Sequence, residues 1–100
     1  MNDAIPEKGM VLVTGGASGI GLSVVEAALA ENWRVVAIDL AGGPLDRLAG
    51  RLDNTRARAV ALDVADEDRV VETVARLEEE LGPITGLVNS AGIARDVAIM

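Results

Sequence analysis

Apolar positions in this chain come in blocks, and their spacing switches back and forth between continuous runs and helical stripes. Residues 10–14 (MVLVT) form an unbroken, largely β-branched run ahead of a glycine cluster, which predicts a strand buried on both faces. Beyond the glycines Ile20, Val24, Val25, Ala28 and Leu29 recur at helical spacing, with Ser23, Glu26 and Glu31 on the other side, and predict an amphipathic helix. Residues 34–38 (RVVAI) read as a second strand, followed by Asp39 and the turn residues Gly42, Gly43 and Pro44. Leu45, Leu48 and Leu52 mark one face of a short helix, and residues 57–62 (ARAVAL) read as a third strand. Asp66 or a neighbour can cap a third helix whose stripe is Val70, Val74, Leu77 and Leu81, stopped by Gly82 with Pro83 behind it. Residues 84–88 (ITGLV) predict a fourth strand, with Asn89, Ser90, Ala91 and Gly92 as the turn after it.

Strands that alternate with helices call for a parallel sheet with right-handed crossovers, because a parallel neighbour can be reached only by a long connection. The expected fold class is therefore α/β, a Rossmann-type doubly wound parallel sheet with strand order 3-2-1-4 in the part present. Residues 1–9 read as an N-terminal tail and residues 10–100 as a nucleotide-binding half-domain. Glu78, Glu79 and Glu80 read as a solvated helix face. Trp33, the one aromatic residue, reads as a packing residue, so the core must come from Val, Leu, Ile and Ala.

Charge and composition narrow the chemistry. Sixteen acidic against nine basic side chains give a formal charge of −7, which opposes a phosphate polymer or an anionic membrane as partner. Without cysteine or histidine the chain offers no thiolate metal site and lacks the commonest general base. The polar first residues show no basic stretch followed by an apolar run, so the expected location is cytoplasmic.

Candidate chemistry gathers where the first strand meets the first helix, in Thr14-Gly15-Gly16-Ala17-Ser18-Gly19-Ile20-Gly21. Backbone N–H groups at a helix start point outward and suit a pyrophosphate. Gly15, Gly19 and Gly21 can serve the tight turn, the approach of the phosphate and the packing of helix on strand. The spacing G-x-x-x-G-x-G differs from the commonest dinucleotide fingerprint, and a glycine cluster that serves only the fold is the competing reading.

The pattern TGxxxGIG resembles the cofactor loop of the short-chain dehydrogenase/reductase family, and three further features agree at the family's spacing: Asp39, Asp63-Val64 and Asn89-Ser90-Ala91-Gly92. The resemblance covers the chain from Met10 onward, whereas family members run to roughly two and a half times this length, still within one domain. It implies that Ser18, Gly19, Ile20 and Gly21 lie under the pyrophosphate. Asp39, 18 residues after Gly21, sits where a carboxylate accepts from the adenosine ribose hydroxyls, and its rival role is to open a turn. Relatives that prefer NADP usually carry a basic residue where this chain has Ser18 or Leu40, so NAD is the expected cofactor and NADP the less favoured one. Asp63 would take the amino edge of adenine with Val64 supplying a backbone contact or an apolar wall, or else serve a helix N-terminus. Asn89 would tie the fourth strand into the sheet through Thr14, while Ala91 and Gly92 leave room for the adenosine side. Ser90 stands where the family usually has a second asparagine.

The activity implied is hydride transfer between nicotinamide and an alcohol or ketone carbon of a small molecule, in a protein that is a homo-oligomer when full length. The family's Tyr-x-x-x-Lys pair is not among these residues, since there is no tyrosine and the one lysine is Lys8. No catalytic residue is therefore assigned, and a nucleotide-binding module without turnover remains the alternative. A domain of the extended, epimerase-like type is disfavoured by the TGxxxGIG and NSAG pair.

Overall fold

Strand β1 (Met10–Thr14) is buried at every position because it has a strand on either side and helices above and below. In the computed structural model, which describes residues 8–53 and 55–90, it is followed by α1 (Gly19–Ala30), β2 (Arg34–Asp39), α2 (Gly43–Arg51), β3 (Ala57–Ala61), α3 (Glu67–Leu81) and β4 (Gly86–Asn89). All strand pairs are parallel and the order is β3-β2-β1-β4, as the alternation of elements predicts.

Side chains of successive strand residues point to opposite faces, so each strand feeds two cores. Val11, Val13, Val35 and Ala37 pack with Val25 of α1 and with Leu45 and Leu48 of α2 on one face. Met10, Leu12, Val36 and Ile38 pack with Leu62 and Leu77 on the other. Full burial of one such aliphatic side chain stabilises by roughly 1.5–3 kcal/mol, against about 0–1 kcal/mol for an exposed ion pair. The surface pairs Arg51–Glu26 and Arg58–Glu80 are therefore secondary to the two cores. Because α3 is the one described helix on the second face, an apolar groove of about 480 Å³ remains there between Leu12, Ile38, Val64, Ile84 and Leu87.

Several expectations need correction. Helix α1 has little amphipathic contrast, since Ala27, Ala30 and Ile20 occupy exposed positions; Ile20, expected in the apolar stripe, is 63% exposed. It belongs to the first turn, beside the open space at Gly19, and packs into neither core. The helix stops in a left-handed residue, Asn32 (φ 71°), with the Trp33 amide on the Ala28 carbonyl and the Asn32 amide on the Leu29 carbonyl. This closure satisfies the Ala28 and Leu29 carbonyls with asparagine in the place glycine usually takes. Gly43 and Pro44 open α2 and are not part of the turn, because a proline in the first turn loses no helical hydrogen bond. Strand β4 starts two residues late and includes Asn89, and Ile84 instead gives its amide to the Glu78 carboxylate (3.1 Å). Glu80 holds Arg58 at 2.8 Å, so the glutamate run is exposed but not merely solvated.

Candidate functional site

The chain leaves β1 through a loop with little choice of residue. Gly15 and Gly19 take φ of +66° and +57°, a left-handed region that costs other L-residues about 1–2 kcal/mol. A Cβ on Gly16 would lie 3.0 Å from both the Ala37 Cβ and the Val13 carbonyl oxygen, so Gly16 lets the loop lie flat on β2. On Gly21 a Cβ would run into the Gly15 carbonyl oxygen and come within 2.6 Å of the Ser90 hydroxyl, which makes this glycine the packing contact between α1 and the loop. A Cβ on Gly19, by contrast, would meet nothing within 4 Å. The space above Gly19 is open, and a phosphate can approach the backbone there.

Electrostatically the start of α1 differs from the other helix starts. Helix α3 is capped by Asp66, whose Oδ1 accepts from the Arg69 amide (3.2 Å), and has Glu67 and Asp68 in its first turn. Helix α2 has Asp46 in its first turn. Helix α1 has Ser18 at its cap with no side-chain hydrogen bond and no acidic residue in its first turn. Its N-terminal N–H groups and the positive end of its dipole are thus left for an anion.

One carboxylate stands at this opening, and a second lines a cleft beside Leu40. Asp39, the last residue of β2, accepts from the Ala17 amide at Oδ2 (3.1 Å) and from the Leu40 amide at Oδ1 (2.8 Å). Asp63, beyond β3, accepts from the Ala65 amide (2.9 Å), a local turn contact; the helix cap itself is Asp66. Leu40, Ala41, Ala61 and Asp63 bound a cleft of about 320 Å³, with Arg69 and Asp66 on its α3 side. Leu40 and Val64 are 61% and 41% exposed, apolar surface beside these carboxylates.

Beneath the loop, the Thr14 hydroxyl donates to Asn89 Oδ1 (2.7 Å), joining β1 to β4 at paired positions. The Ser90 hydroxyl donates to the Thr14 carbonyl (2.5 Å), so the residue in the second asparagine's place makes its own tie to the sheet. The structure thus brings together Gly15, Ser18, Gly19, Ile20, Gly21 and Asp39 at the start of α1, and Leu40 with Asp63 around the adjoining cleft. Val64 instead lines the groove on the α3 face together with Asn89. Ala91 and Gly92 lie outside the described residues. Sequence reasoning missed Gly16 and Ala17; the only signal was their position between the motif glycines. Among the described residues no cluster could hold a metal ion, and no helix is long and apolar enough to cross a membrane.

Comparison with known proteins agrees with this geometry. The sequence model of the family described as short chain dehydrogenase matches residues 9–100. The chain is 38% identical over 87 residues to 2-(S)-hydroxypropyl-CoM dehydrogenase 3 of Xanthobacter autotrophicus, covering 85% of this chain and 34% of that one. To acetoacetyl-CoA reductase of Paracoccus denitrificans it is 41% identical over 87 residues, covering 87% and 35%. Among solved structures, 2-keto-3-deoxy-D-gluconate dehydrogenase from Streptococcus agalactiae superposes with a TM-score of 0.75 at 29% identity, covering 84% of this chain and 32% of that one. The chain thus spans about a third of the length of the relatives it matches. Its glycine loop, sheet order and sequence together show that the chain belongs to the short-chain dehydrogenase family.

Proposed function

We propose that this chain holds the adenosine and pyrophosphate half of a nicotinamide dinucleotide, NAD in preference to NADP, for an oxidoreductase acting on an alcohol or ketone of a small molecule. The observation that carries the reading is the open, uncapped start of α1 at Gly19 with the Asp39 carboxylate beside it. The pyrophosphate would rest on the N–H groups of residues 18–21, and Asp39 would accept from the adenosine ribose. Leu40 and Asp63 would border the adenine, with Val64 beyond them. Once bound, the nicotinamide supplies or accepts the hydride. Proton transfer would fall to residues in the portion that the relatives have in addition, since these 100 residues include no tyrosine or histidine. The relatives' names, dehydrogenases and a reductase, support the reaction class.

Preference for NAD follows from charge. A 2′-phosphate near Asp39 would face a like charge, worth roughly 4 kcal/mol at about 4 Å and an effective dielectric near 20 before relaxation. Arg69 shares the cleft but stands with Asp63 and Asp66, so that wall remains net negative. Calorimetry on the full-length protein should find NAD bound more tightly than NADP by about 1–3 kcal/mol after screening. Equal or tighter NADP binding would sink the assignment and point to Arg69 as the phosphate's partner.

A further inference from the structure

We infer that Asp39 is also a positioning residue for the glycine loop, so that one carboxylate couples the ribose and pyrophosphate subsites; this rests on the nucleotide reading above. Two consecutive bonds clip the loop to the end of β2. The Gly16 amide donates to the Ile38 carbonyl (3.1 Å), and the Ala17 amide donates to Asp39 Oδ2 (3.1 Å). The first is backbone to backbone and is available to any residue at 38. The second requires a side-chain acceptor of aspartate's length at 39. Ala17 is only 6% exposed, so its N–H has little water to turn to if that acceptor is removed.

The carboxylate is itself held, because Oδ1 accepts from the Leu40 amide at 2.8 Å. A carboxylate has about four acceptor positions, so both oxygens retain capacity for ribose hydroxyls while these amide bonds persist. Asp39 therefore arrives at the ribose already fixed, and the loop that it fixes is the one that opens onto the phosphate. An asparagine here could satisfy one amide with its oxygen but would turn N–H donors toward the other. One amide is then left without its acceptor, so the loop loses either its second clip or the Leu40 bond that holds the side chain in place for it, even though the side chain keeps its size.

The sign of the effect separates this role from direct contact. Removing a negative charge near an anionic ligand should by itself tighten that ligand. A loss of affinity for a nucleotide that cannot use Asp39 through its ribose must come through the loop.

The test measures ADP and 2′,3′-dideoxy-ADP binding by calorimetry to the full-length protein and its Asp39→Asn variant, each confirmed folded by circular dichroism. The wild type should bind ADP about tenfold more tightly than the dideoxy analogue, which reports the ribose hydroxyls. Asp39→Asn should weaken the dideoxy analogue as well, by about five- to tenfold. Unchanged or tighter dideoxy-ADP binding by the variant overturns the positioning role. Equal binding of the two nucleotides by the wild type overturns the ribose contact instead, and leaves the positioning role to be judged on the dideoxy arm. Should the variant not fold, amide hydrogen exchange on the wild type decides: a slowly exchanging Ala17 amide supports the clip, and exchange at the rate of an unstructured peptide refutes it.

Discussion

Thr14 and Asn89 are joined side chain to side chain, the threonine hydroxyl donating to Asn89 Oδ1 over 2.7 Å at positions already paired in the β1–β4 register. Thr14 is 7% exposed, so its hydroxyl is a buried polar group that needs such a partner. Thr14→Val keeps the shape and removes the donor. Stability should fall by about 1 kcal/mol, the usual net worth of one such bond, because exposed Asn89 can turn to water. Urea denaturation measures it, and an unchanged midpoint would show that the contact contributes nothing.

Gly19 and Gly21 stand two residues apart and should fail differently. At Gly19 a side chain meets no protein atom but projects into the space proposed for the pyrophosphate. Gly19→Val should abolish nucleotide binding for a stability loss of about 1–2 kcal/mol, the cost of the left-handed backbone. Gly21→Ala drives a methyl into the Gly15 carbonyl and should cost about 3 kcal/mol, at the upper end for overpacking, because the obstacle is backbone. Thermal shift with and without NAD reads both. Unchanged NAD affinity in Gly19→Val would remove the loop from the site.

Acid should weaken the connection between α2 and β3. Asp53 Oδ1 accepts from the Thr55 amide (3.0 Å), from the Thr55 hydroxyl (2.9 Å) and from the Arg56 amide (3.5 Å). These bonds, the Thr55 amide foremost, hold the Asp53 carboxyl below its ordinary value of 3.8. A depressed pKa in the folded state means stability that is present above the unfolded value and is lost as pH falls through the folded one. Asp53→Ala should therefore be less stable than wild type at neutral pH, with the difference shrinking below pH 3.8. Denaturation curves at neutral and acidic pH check this, and a gap independent of pH would contradict it.

A polypeptide limited to residues 1–100 should be catalytically silent, since it has neither tyrosine nor histidine and its single lysine, Lys8, forms a surface pair with Glu31. It should also self-associate as concentration rises, because Leu87 (65% exposed) and Val64 (41%) border an apolar groove that α3 leaves open. Assay with NAD and a panel of secondary alcohols tests the first expectation, and sedimentation the second. Cofactor-dependent turnover by these residues alone would refute the placing of proton transfer elsewhere.

The order of elements, the parallel sheet and the place of the glycine loop were legible in the sequence because they depend on local periodicity and on residues with special backbone freedom. The run at residues 10–14 read as a buried strand, and Gly15 and Gly19 marked a turn that other residues avoid, with Gly21 as the close contact of helix and loop. Asp66 and Gly82 likewise announced the two ends of α3 by chemistry that acts within a few residues. What the sequence could not show are relations across the sheet, which depend on register and on the distance between separate strand ends. That Gly16 lies against Ala37, that Ser90 reaches the Thr14 carbonyl, and that Asp39 holds the Ala17 amide all follow from the parallel pairing of β1 with β2 and β4. The exposure of Ile20 is of the same kind. Helical spacing placed it on the apolar stripe, but burial requires a surface to lie against, and Ile20 packs into neither core.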